Sequence, residues 1–102
     1  MTDRQAVFAA LADPTRRMML DRLVAGGPAT ATTLAGEFPM TRQAVAKHLG
    51  VLSQAGLVER EVVGREARFQ AAPEALGDVR KWIDQVGSQW DQRLARLRRA
   101  VE

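Results

Sequence analysis

The sequence predicts a mainly α-helical domain with one small β-hairpin near its C-terminal end. Three observations support this fold class. Apolar residues recur at helical spacing in five segments, glycine and proline separate those segments, and the residues around Glu59 alternate as in a strand. A chain of 102 residues, 46% hydrophobic and 26% charged, fits a single domain over residues 1–102. So small a domain buries only a modest core, and dimerisation would add to its stability.

The first two helices can be bounded from local signals. The first is expected over residues 3–11, and three apolar residues at helical spacing form its buried side: Val7, Phe8 and Leu11. The second begins after Asp13, which can cap it, and Pro14 suits the first helical position because its missing N–H would be unpaired there anyway. It ends before Gly26 and Gly27, since glycine adopts a left-handed cap without strain.

The second helix carries an arginine on its apolar side. Leu20, Leu23 and Val24 are expected to mark the buried side of this helix. Arg16 projects among these residues on a helical wheel, so its guanidinium must either extend outward or bind a carboxylate. We favour a structural role for Arg16, and a phosphate contact is the alternative.

The next two helices are joined by a short turn. A third helix follows Thr30, a residue type that caps helices, and the turn over residues 38–40 ends it. Thr41 caps a fourth helix, which is expected to stop at Gly56. Together these elements form a helix-turn-helix over about residues 30–55. In such a motif the second helix reads bases in the DNA major groove with its N-terminal residues.

The fourth helix has two chemically distinct faces. On a wheel of about 100° per residue, three apolar residues form its buried stripe: Val45, Leu49 and Leu52. Gln43 and Lys47 lie opposite, and Arg42 and the small residues Ala46 and Gly50 flank them. Arginine and lysine donate to guanine, glutamine pairs with adenine, and small neighbours let the backbone approach. We therefore expect Arg42, Gln43 and Lys47 to contact base edges; a merely solvated surface face is the alternative.

A wing follows the helix-turn-helix. Residues 57–71 are expected to form a two-stranded hairpin in which Val58, Arg60 and Val62 share one face. Arg65 follows a glycine at the hairpin tip, where it can reach a phosphate or the minor groove, although a solvated turn residue is the alternative. Together with Thr41 and His48 of the fourth helix, Arg65 is expected to contact phosphates.

The last helix is expected over about residues 73–101, so that the hairpin lies between the fourth and fifth helices. Its apolar stripe continues for the whole length and contains Val79, Ile83, Val86, Trp90, Leu94, Leu97 and Val101. A stripe this long exceeds what a small core can cover, which predicts a homodimer. The expected interface residues are Phe8, Val86, Trp90, Leu94 and Leu97. Packing of the stripe within one subunit is the alternative.

Charge and composition restrict the function. The formal net charge of +3 is consistent with an anionic partner such as double-stranded DNA. The chain has no cysteine, and His48 is its single histidine, whereas zinc needs three or four protein ligands. By angle His48 borders the buried stripe, so we expect it to pack or to contact a phosphate rather than to catalyse. No metal site or cofactor is predicted.

Enzymatic and membrane roles are not indicated. No nucleophile, acid–base pair or phosphate-binding loop stands out, so no catalytic residues are predicted. The N-terminal segment carries charges where a signal peptide would be apolar, and no stretch approaches the length of a membrane span. We therefore expect a cytoplasmic location without a membrane partner.

Several segments together resemble one family, the ArsR/SmtB-type winged helix-turn-helix transcriptional repressors of bacteria. The resemblance covers almost the whole chain and lies in "ALADPTRRMMLDRL", "TLAGEF", "TRQAVAKHLGVLSQAGLVERE" and the wing "VGREARF". It implies a homodimeric repressor that binds a palindromic operator, often its own promoter, and releases it when an inducer binds.

Two departures from the family pattern matter. Many members sense metals through cysteines on the recognition helix or through Asp/His/Glu clusters on the last helix. This chain has no cysteine and no second histidine, so the resemblance does not imply metal sensing. Pro39 occupies a turn position where the family commonly has glycine. The segment "KWIDQVGSQWDQRLARLRR" looks like the subgroup that lacks metal ligands, for which no general inducer follows, so the small-molecule effector is unassigned. A winged-helix protein-interaction module without DNA binding is the alternative function.

Overall fold

The computed structural model describes residues 3–102 and confirms the predicted fold class, with helices and hairpin in the expected order. In chain order its elements are α1 (Arg4–Leu11), α2 (Pro14–Gly26), β1 (Ala29–Thr30), α3 (Ala31–Glu37), α4 (Arg42–Gln54), β2 (Val58–Val63), β3 (Glu66–Ala71), a 3₁₀ turn (Pro73–Ala75) and α5 (Leu76–Val101).

Side-chain caps set the starts of the central helices. Asp13, Thr30 and Thr41 precede α2, α3 and α4, and each accepts a hydrogen bond from a backbone N–H two or three residues later at 3.0–3.1 Å. Gly27 ends α2 with a φ of 81°, a value that glycine adopts readily because it has no Cβ. The expected boundaries of these helices are therefore close to the observed ones.

The sheet contains one strand that the sequence did not reveal. β1 pairs antiparallel with β3, placing Ala29 opposite Phe69 and Thr30 opposite Arg68. The strand order is β1-β3-β2, so the expected hairpin is part of a three-stranded sheet. Because Thr30 also caps α3, this pairing ties the start of the helix-turn-helix to the wing.

The helices bury their apolar sides around α4. Val45, Leu49 and Leu52 are fully buried, as the wheel predicts. On α2 the expectation for Val24 was wrong, since this residue is 61% exposed and Met19 is buried instead. The buried residues of α2 are Met19, Leu20 and Leu23, which span about 100° of the helix, and Val24 lies about 40° beyond Leu20, outside this sector.

Arg16 has a structural role. Its Nε donates to the carbonyl of Ala10 at 2.7 Å, and its Nη2 donates to the carbonyl of Ala9 at 3.0 Å. Its Nη1 lies 3.3 Å from Oδ2 of Asp13. Arg16 thus joins the last carbonyls of α1 to the cap of α2, which satisfies acceptors that a helix end leaves unpaired.

A two-point ion pair fixes α3 against α2. The Nε and Nη2 of Arg22 donate to the two carboxylate oxygens of Glu37 at 2.6 and 3.2 Å, and Nη1 donates to the carbonyl of Gly27 at 3.3 Å. The hydrogen bond to Glu37 raises the pKa of the Arg22 guanidinium above its usual value. A fork-to-carboxylate pair adds geometric restraint, so it helps to orient the first helix of the helix-turn-helix.

Most of α5 extends beyond the rest of the fold. Val79 in its first turn is buried, and the ring of Trp82 meets that of Phe8 edge to face with centroids 5.3 Å apart. Beyond Trp82 the helix has few neighbours, and the molecule measures 66 Å along its longest axis. Within residues 3–102, no helix combines the length and the apolar character required to cross a bilayer.

Candidate nucleic-acid interface

The polar face of α4 points away from the protein. Val45 and Leu49 have no exposed surface, and this anchoring turns Arg42, Gln43 and Lys47 toward solvent, where all three are exposed. The structure therefore brings the three residues expected to contact bases onto one open face of a single helix. The donors and acceptors of their side chains suit the edges of guanine and adenine in a major groove.

Thr41 lies at the N-terminal end of that face. Its Oγ1 accepts the backbone N–H of Ala44 at 3.1 Å, which caps α4. The hydroxyl hydrogen is still available to donate, so capping and contact with an outside acceptor are compatible. A helix N-terminus also carries partial positive charge, which favours an anion.

His48 is partly buried and contacts the start of α2, whereas Arg42, Gln43 and Lys47 are exposed. Its Nδ1 is 3.4 Å from Oδ2 of Asp13, and its side chain is only 23% exposed. The histidine therefore sits between α4 and the start of α2, at the border of the buried stripe. Among the residues with described coordinates, no three His, Cys, Asp or Glu side chains come together as a metal site.

An open groove of about 690 Å³ separates α3 and α4 from the wing. Arg42 and Gln43 line one side, and Arg65 lines the other. Arg65 follows Gly64, whose φ of 64° forms the tight turn between β2 and β3. The groove thus brings together three predicted DNA contacts that come from two separate elements.

Arg60 also lines this groove, although it was not among the predicted site residues. The signal for it was present in the sequence, because the alternation of β2 places Arg60 on the same face as Val58 and Val62. An arginine on the inward face of a wing strand is a candidate for contact with an anionic ligand bound in the groove.

Among the residues that the structure describes, four cations of the candidate interface have no acidic partner. Across residues 3–102, the ion pairs involve Arg16, Arg22, His48 and Arg68. The cations of the candidate interface are absent from these pairs: Arg42, Lys47, Arg60 and Arg65. Their charges are therefore available to an anionic ligand.

A second exposed surface runs along α5. Its large apolar side chains include Ile83 at 55% exposure, Val86 at 46%, Trp90 at 58%, Leu97 at 56% and Val101 at 87%. Leu94, on the same stripe, and Phe8, against Trp82, are half-buried. The residues expected at a dimer interface on α5 thus lie along one helix face, most of it uncovered in the single chain.

Comparison with known proteins agrees with this architecture. A family described as a helix-turn-helix domain matches residues 11–61. The transcriptional repressor SdpR of Bacillus subtilis is 34% identical over 77 residues, which cover 76% of this chain and 84% of SdpR.

Solved structures extend the similarity to the fold. An ArsR-like transcriptional regulator from Rhodococcus sp. RHA1 superposes with a TM-score of 0.83 and 41% identity, over 96% of this chain and 92% of that protein. A homodimeric winged helix-turn-helix DNA-binding domain from Mycobacterium bovis superposes with a TM-score of 0.65 and 25% identity, over 87% of this chain and 82% of that domain.

Proposed function

The chain belongs to the ArsR family of winged helix-turn-helix transcriptional regulators, and from this premise we propose that it is a homodimeric repressor of an inverted-repeat operator. One observation carries the proposal. The polar face of α4, with Arg42, Gln43 and Lys47, is held outward by a fully buried stripe beside an open cationic groove. The similarity to the repressor SdpR supports repression, and the similarity to the homodimeric Mycobacterium bovis domain supports homodimerisation.

DNA binding divides between two kinds of contact. Arg42 and Lys47 donate to guanine O6 and N7, and Gln43 pairs with adenine, so these three side chains supply sequence preference. Thr41 at the helix N-terminus and Arg65 at the wing tip hold phosphates, which fixes the position of α4 in the major groove. His48 serves the same purpose through its second ring nitrogen, while Asp13 orients the ring.

The dimer sets the spacing of the operator. Two copies of the apolar stripe on α5 cover each other, with Phe8 of α1 at the margin of the contact. Two-fold symmetry then presents two α4 helices to one face of the duplex. Half-sites centred about 34 Å apart, one turn of B-DNA, are expected for such an arrangement.

Repression does not depend on a metal bound by thiolates, because the chain contains no cysteine and only one histidine. The chemical identity of an inducer does not follow from the groove or from the composition, and none is proposed.

The proposal is tested by electrophoretic shifts on operator fragments selected from genomic DNA. Replacing Arg42 and Lys47 by alanine removes two base contacts, each worth about 1–3 kcal/mol, and should abolish the specific shift. Circular dichroism should be unchanged, because both side chains are exposed. A variant that shifts the same fragments with unchanged affinity would exclude this face from DNA recognition. Capture of proteins without DNA by the wild type would favour an interaction module.

A further inference from the structure

We propose that Arg60, on the inner face of the wing, is a further DNA contact that binds a backbone phosphate between the wing and α4. This inference rests on the proposed function, because it assigns a new residue to the same binding groove. Its role is distinct from that of Arg65, since Arg60 lies in the middle of strand β2 and Arg65 lies at the hairpin tip.

The register of the hairpin fixes which face Arg60 occupies. Arg60 pairs with Phe69, and the preceding pair on the same face joins Val58 to Ala71. Val58 and Phe69 are 2% and 9% exposed, so this face turns toward the core. Arg60 is nevertheless exposed, because the core ends before the strand does. The guanidinium therefore lies on the inward side of the sheet, facing open space rather than a packed interior.

The space in front of Arg60 continues along α4. Besides the groove of about 690 Å³, Arg60 lines an adjoining depression of about 500 Å³ bounded by Ala46, Gly50 and Ser53 of α4. A Cβ added at Gly50 would have no neighbour within 4 Å, so the surface of α4 at this position is unobstructed, and the adjacent side chains of Ala46 and Ser53 are small. A sugar-phosphate backbone needs room of this kind to pass between helix and wing, since only small side chains let it approach closely.

The charges around the groove favour a chain of phosphates. Arg42, Arg60 and Arg65 all line it, and none has a carboxylate partner among the described residues. The acidic residue on the rim, Glu66, has its carboxylate 3.6 Å from the guanidinium of Arg68, which offsets its charge. Three guanidinium groups on different elements around an open groove match consecutive phosphates of a strand better than one compact anion.

A phosphate contact from Arg60 has a defined effect on binding. It carries no base information, so it should strengthen binding to specific and scrambled duplexes alike. It also links strand β2 of the wing to a phosphate beside α4, so that the wing and α4 bind the same stretch of DNA backbone. Each dimer presents two such arginines, so two counterions are released for each complex formed.

The test measures the salt dependence of binding for Arg60→Gln, with Arg99→Gln as the matched control. Both changes remove one cation per subunit, and Arg99 lies in the last turn of α5, outside the groove. For Arg60→Gln the negative slope of log K against log salt should become shallower by about 1.8, and affinity should drop equally for operator and scrambled duplex. Arg99→Gln should keep the wild-type slope, and Arg60→Lys should restore most of it.

The outcomes separate this inference from the function on which it rests. If the wild type binds its operator and Arg60→Gln keeps the wild-type slope and affinity, Arg60 is not a phosphate contact and the proposed function stands. If the wild type binds no duplex at low salt, the proposed function fails and this inference fails with it. If Arg60→Gln lowers the thermal midpoint, Arg60→Met keeps the apolar stem without the charge and must show the same loss of slope.

Discussion

Replacing Trp90 by aspartate should convert the proposed dimer into a monomer. Trp90 lies at the centre of the α5 stripe and is 58% exposed in the single chain. In the proposed dimer this surface faces the same stripe of a second copy. An aspartate there would bring two carboxylates into an apolar contact without partners, which opposes association.

The magnitude follows from the exposed area of the indole. With about 250 Å² for a large aromatic side chain, an exposure of 58% leaves about 145 Å² to bury. At about 25 cal/mol per Å² this area contributes about 3.6 kcal/mol for each Trp90. The dimer contains two copies of Trp90, which doubles this free energy. If only half of the exposed area is covered in the dimer, the total is again about 3.6 kcal/mol. The dimer dissociation constant should therefore rise at least about 400-fold.

Sedimentation equilibrium over a range of protein concentrations measures this change. The control is Gln92→Asp, which introduces the same charge on the opposite side of α5, where the side chain is exposed. Gln92→Asp should remain dimeric at concentrations that dissociate Trp90→Asp. If Trp90→Asp has the wild-type dissociation constant, the α5 stripe is not the interface and the reasoning from its exposure is wrong.

Two further predictions concern the core and metals. Leu49→Ala should lower the free energy of unfolding by about 2–5 kcal/mol in urea titrations, because Leu49 is fully buried under the recognition face. Val24→Ala, at a residue 61% exposed, should stay within about 0.5 kcal/mol; equal losses in both variants would contradict the assigned burial. Excess chelator should leave operator affinity unchanged, since the chain has no cysteine and a single histidine. A chelator-induced loss of binding would instead require a metal site.

Local signals were sufficient for the helices and the hairpin. The caps at Asp13, Thr30 and Thr41 and the glycine after α2 depend on residue types that act within a few positions, and the structure contains each of them. The buried stripe of α4 followed from helical spacing because all three apolar residues fall within one narrow sector. This is also why the orientation of Arg42 and Lys47 could be predicted from the sequence.

Features that depend on distant partners were missed or misplaced. β1 has two residues, too few for any periodicity, and it is a strand only because β3 offers an edge to it. Val24 was assigned to the core because the wheel of α2 is apolar over a wide arc, and packing selected Met19 instead. The neighbour of His48 is Asp13, which is far away in the sequence, so no local pattern indicates their contact.

Sequencing of genomic DNA fragments recovered with the purified protein at about 0.15 M salt tests whether a two-fold dimer recognises an inverted-repeat operator. We expect the enriched sites to share an inverted repeat whose half-sites are centred about 34 Å apart, because a two-fold dimer presents two copies of α4. Recovered fragments that match the input DNA, or sites without two-fold symmetry, would contradict this expectation.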